Sequence, residues 1–116
     1  MRFKAVIGLG VAAAALATLG LAGTASASSV TLYYNSGYQG ESVTFYGNVP
    51  NLGVYSFPSK GSVKNNAASA WNNDYNTVSI WYNSNYAGVR DVIAGYSGSG
   101  NRLVNTYNED ASISFS

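Results

Sequence analysis

The sequence predicts an all-β domain in which two Greek-key motifs pack on each other as one eight-stranded sandwich. Three observations point there. Strand-forming Tyr, Val, Ile and Thr are punctuated by Gly, Asn and Ser, the residues of turns. No stretch beyond residue 27 sustains a 3.6-residue apolar period. The chain also repeats itself: VTLYYNSGYQG at 30–40 and VSIWYNSNYAG at 78–88 share Val, Tyr, Asn, Ser, Tyr and Gly at an offset of 48.

Arg2 and Lys4 precede an uncharged run over 5–22, and Ala25-Ser26-Ala27 offers the small residues that signal peptidase accepts. Residues 1–27 therefore read as a secretory signal peptide cleaved after Ala27, and 28–116 as a secreted, extracellular domain that leaves the membrane once cleaved. That domain divides into a first Greek key over about 28–74 and a second over about 75–116. It carries four basic and five acidic residues, a net charge of −1. It has no basic stripe for nucleic acid or anionic lipid. All ten tyrosines lie in it and no cysteine does, so packing and sheet hydrogen bonds must stabilise it. Each half is too short to bury a core alone, so the two copies should pack on each other within a monomer.

In the first copy, 29–34 alternates as a strand, Asn35-Ser36-Gly37 turns, and 41–46 is a second strand. Pro50 and its neighbours break the chain. A third strand is expected over 54–57, a polar loop over 56–66, and a fourth strand over 69–72. The second copy repeats the pattern at 78–82, 89–94, 103–107 and 111–115, with 95–100 as a Gly/Ser loop.

Enzymatic chemistry finds little material. Without His or Cys, neither a Ser-His nor a Cys-His nucleophile pair exists, nor a zinc site of the usual kind. Gly95-Tyr96-Ser97-Gly98-Ser99 ends in Ser and is no nucleophile elbow. Gly98-Ser99-Gly100 lacks the third glycine of a dinucleotide loop. A carboxylate pair, such as Asp74 with Asp91, is the arrangement to weigh for glycoside hydrolysis. The chain is expected not to be an enzyme.

Two pairs of motifs carry a family resemblance. Tyr33 with Tyr38 and Gly40, and Trp81 with Tyr86 and Gly88, resemble the folded hairpin of βγ-crystallins. Asn65-Asn66-Ala67-Ala68-Ser69 and Asn108-Glu109-Asp110-Ala111-Ser112 resemble the calcium-binding element of microbial members. The resemblance implies weak calcium binding through Asn65, Asn66, Ser69, Asn108, Glu109 and Ser112. Each element departs from the pattern, with Ala70 and Ile113 where a final Ser is usual. A reading of the same residues as turn formers and backbone partners stands beside the calcium one.

The run from Gly37 through Asn51-Leu52-Gly53 to Asn65-Asn66 is similar to the Streptomyces-type metalloproteinase inhibitor family. That similarity implies inhibition of an extracellular metallopeptidase by a rigid loop, with Pro58, Ser59 and Lys60 as candidates. Many family members carry disulfides; this chain has none, and an unstapled loop is more easily cleaved. The alternatives are a killer-toxin-like or antifungal protein, a cell-wall glycan binder using Trp71, Trp81, Tyr75 or Tyr96, and a purely structural calcium-stabilised stress protein.

Overall fold

The computed structural model describes residues 29–116; the expected signal peptide lies outside them. Among these residues, no helix is long and apolar enough to cross a membrane.

The two hairpins match residue for residue. Strand β1 (Val30–Asn35) pairs antiparallel with β2 (Gln39–Phe45), placing Val30 opposite Phe45 and Leu32 opposite Val43. Later in the chain, β6 (Val78–Asn83) pairs with β7 (Ala87–Ile93), with Val78 opposite Ile93 and Ile80 opposite Asp91. Both ladders shift register at the same place, between Tyr33 and Asn35 and between Trp81 and Asn83. The shift folds the turn back onto its own strand. Gly40 and Gly88 have φ of +80° and +86°, and a Cβ there would sit 2.6 and 2.7 Å from the Asn35 and Asn83 amide nitrogens. Only glycine meets both demands at low cost.

The remaining strands are short: β3 (Ser56–Phe57), β4 (Gly61–Ser62), β5 (Ser69–Asn72), β8 (Ser97–Gly98) and β9 (Ser112–Phe115). One sheet runs β2-β1-β5-β8 and the other β9-β6-β7. Val49 bridges Ile113 on the free side of β9 and fills the fourth place of the second sheet. The result is two four-stranded layers, the expected eight-stranded sandwich, with the β3–β4 hairpin outside it.

The third strands differ from expectation. Residues 103–107 form an irregular, bending loop, and 54–57 divides between the end of a 3-10 turn (Leu52–Val54) and β3. The true third strands lie at Val49 and at Ser97–Gly98, and each joins the sheet of the other copy: β8 pairs with Trp71 and Asn72. The apolar residues that suggested strands plug the core from loops instead. Leu52 and Leu103 are both fully buried there, beside Val30, Leu32, Val78, Ile80 and Ile113. Burial removes apolar area from water whatever the backbone conformation.

Asp110 also faces the interior, where the two copies cross. The N–H of Asn65 donates to Asp110 O at 2.8 Å, and the N–H of Asn108 donates to Ala67 O at 3.0 Å, a matched pair. Ala67 and Asp110 are therefore counterparts, both fully buried. Oδ1 of Asp110 accepts from the Ala67 N–H at 3.2 Å, and Oδ2 has no partner among the described residues. Burial pushes this carboxyl up to about 7.

Candidate functional site

An exposed hairpin spans 56–62. Asn51 caps the 3-10 turn by accepting the Gly53 N–H at 2.8 Å, and the Leu52 N–H is anchored on Ala111 O. The chain then swings outward, and Gly61, with φ +83°, lets it return. Pro58, Ser59 and Lys60 occupy the exposed tip. The legs are held from below. Phe57 is buried edge-on against Tyr34 at 5.6 Å, the Val63 N–H donates to Tyr55 O, and Asn66 Nδ2 donates to Ser62 O at 2.7 Å. At the tip, Glu41 accepts both the Ser59 N–H, at 2.9 Å, and the Ser59 hydroxyl. These bonds, chiefly the one from the hydroxyl, hold the Glu41 carboxyl below its usual range, and the charge of Lys60 adds to them.

Beside the hairpin lies an open cleft of about 290 Å³ lined by residues that include Tyr34, Asn35, Asn65, Asn66, Ala68 and Asn108. It gathers three of the six residues expected to hold calcium. The two serines point elsewhere. Ser69 Oγ donates to Asn35 O at 2.7 Å and accepts the Tyr38 N–H at 3.0 Å. Ser112 Oγ does the same with Asn83 O and the Tyr86 N–H, at the same distances. Both are fully buried, and each pins its own folded hairpin. Ala68, not Ser69, is among the residues lining the cleft. Glu109 is spent beside the Tyr82 hydroxyl, whose pKa it raises by hydrogen bonding. Two cations also stand over tyrosines that line the cleft: Lys60 Nζ 5.6 Å from the Tyr34 ring, and Arg102 Cζ 4.6 Å from the Tyr107 ring. Calcium takes six to eight oxygens, with carboxylates to raise its affinity. A cleft with no carboxylate and two flanking cations does not fit that ion.

The carboxylates weighed for hydrolysis hold backbone. Asp74 accepts the Asn76 N–H, and Asp91 accepts the N–H groups of Val104, Asn105 and Thr106. Among the aromatics weighed for glycan, Trp71 packs edge-on against Tyr38 at 5.5 Å, and Trp81 lies under the Arg90 guanidinium. Tyr75 and Tyr96 are exposed.

Sequence reasoning missed Glu41. A signal was there, since its counterpart 48 residues on is Val89.

Residues 22–93 match the model of peptidase inhibitor family I36. No curated protein sequence matches the chain. Solved βγ-crystallin domains share the fold. One from work on the evolution of the eye-lens βγ-crystallin fold superposes with a TM-score of 0.66 at 19% identity, covering 84% of this chain and 93% of its own. The Ciona intestinalis βγ-crystallin gives 0.61 at 14% identity, covering 76% and 99%. A domain from Clostridium beijerinckii gives 0.57 at 20% identity, covering 75% and 95%.

Proposed function

The chain belongs to peptidase inhibitor family I36, and on that premise we propose that it blocks an extracellular metallopeptidase with the hairpin over 56–62. It is a non-enzymatic, crystallin-like member of an inhibitor family. The observation that carries the loop assignment is the exposed Pro58-Ser59-Lys60 tip on anchored legs. A loop ordered before encounter loses little conformational freedom on binding, so more of its contact energy appears as affinity. In this reading residues 1–27 direct export and are cleaved after Ala27.

Titration against thermolysin-like peptidases tests the loop. The intact protein is expected to inhibit at micromolar concentration or below. Replacing 58–60 by three glycines should weaken inhibition at least tenfold with the fold intact. Full-length protein that leaves these enzymes untouched at micromolar levels removes the reading.

The weak calcium binding implied by the element pattern gains no support from the donor set. Millimolar calcium is expected to leave the melting temperature unchanged. A rise of several degrees, reversed by a chelator, would contradict this.

A further inference from the structure

The two copies are near-equal except in one connection. Their hairpins lie 48 residues apart and their Asn elements 43 apart, so the first copy's connection is five residues longer. The extra length is used for the β3–β4 hairpin, and the second copy forms no hairpin in its own connection. One strand position changes with it. Glu41 on β2 corresponds to Val89 on β7, an exposed apolar residue. The carboxylate is therefore present only in the copy that has a hairpin to hold.

The anchors of that hairpin act at different levels. Phe57, Val63 and Asn66 hold its legs. Lys60 leans over Tyr34. Glu41 reaches the middle of the tip, where it takes both donors of one residue, the N–H and the hydroxyl of Ser59. A carboxylate accepting two such bonds fixes a short segment in direction as well as position. The chain has no cysteine that could do this covalently.

We propose that Glu41 is the positioning residue of the inhibitory tip, a non-covalent staple that keeps 58–60 in one conformation and resistant to cutting. The proposal rests on the inhibitor reading for its biological meaning, but its physical content is separate. An exposed pair of hydrogen bonds adds little to global stability. It can still control how often a loop tip opens, and proteolysis follows that opening.

The test uses the full domain and two readouts. Subtilisin, a broad-specificity peptidase, is applied to wild type, Glu41→Ala, Glu41→Gln and Ser59→Ala, and cutting between 57 and 61 is followed by mass spectrometry. Glu41→Ala should be cut there at least tenfold faster, with a melting temperature within about 3 °C of wild type. Glu41→Gln, which keeps an acceptor for the Ser59 N–H, should recover much of the resistance, and Ser59→Ala should lie between. In parallel, Glu41→Ala should inhibit a thermolysin-like enzyme only transiently. Equal cutting of wild type and Glu41→Ala overturns the staple. A wild type that never inhibits, alongside the expected cutting pattern, overturns the inhibitor reading and leaves the staple standing.

Discussion

Asp91→Ala is expected to lower the melting temperature by about 15 °C, the largest loss for any single exposed or half-buried side chain considered above. Its carboxylate sits on β7 and receives three successive backbone N–H groups: Val104 at 3.3 Å, Asn105 at 3.1 Å and Thr106 at 2.8 Å. The Thr106 hydroxyl adds a fourth bond at 2.7 Å. Thr106 is fully buried, so its donors have no ready access to water once the carboxylate is gone. Hydrogen bonds to a charged group contribute roughly 1.5–3 kcal/mol each, and bonds sharing one acceptor group do not add. A net loss of about 3 kcal/mol is a reasonable total, which for a domain of this size shifts melting by roughly 12–24 °C. The loop also carries Leu103, a core plug, so its release exposes apolar surface as well. Asp91→Asn, retaining one acceptor oxygen, should lose about half as much. Calorimetric melts check both, and a shift under about 4 °C for Asp91→Ala would mean the loop is held by packing alone.

The second large effect is a stability that rises on acidification. Asp110 has its carboxyl raised from 3.8 to about 7 in the folded state. Burial favours the neutral form, outweighing the N–H donors of Asp110 itself and of Ala67, which favour the anion. A raised folded pKa contributes fully below the unfolded value and loses that contribution as pH climbs through the folded one. Stability should therefore fall as pH rises from about 4 to about 7 and level off above. Three pKa units correspond to roughly 4 kcal/mol, an upper limit because buried sites relax and admit water. Asp110→Asn carries a permanently neutral side chain of the same shape, so its melting temperature should vary far less over this range and exceed wild type at pH 8. Parallel melts of the two proteins at half-unit steps isolate the contribution. Identical pH profiles would mean the carboxyl is solvated.

The hairpins were legible in advance because their register is written into the repeat. A shared run of Val, Tyr, Asn, Ser, Tyr and Gly allows one backbone course, and the positive-φ glycines mark the same fold-back twice. The third strands were not legible. Val49 stands beside Pro50, and Ser97–Gly98 sits in a Gly/Ser run; both pair only because the other copy supplies an edge. Local sequence cannot announce a partner contributed from elsewhere. For the candidate sites, the sequence marked a polar loop over 56–66, and Pro58, Ser59 and Lys60 followed from the inhibitor-family similarity. It did not reveal the direction of Ser69 and Ser112, whose hydroxyls face their own hairpins. That orientation depends on the folded-back turn being already in place. Asp110 was read as part of a metal element, although the copy-to-copy alignment sets it opposite the methyl of Ala67.

The exchange of third strands has a consequence for how the two halves hold together. Each sheet takes its fourth place from the opposite copy, so a single copy on its own would be one strand short and have one strand to give. Within the chain the two copies satisfy each other by this reciprocal exchange. The segment near residues 73–77 joins the two copies, so the exchange is made inside one chain. That link holds the halves at a fixed local concentration, so one connection can be five residues longer than its counterpart without loosening the pair.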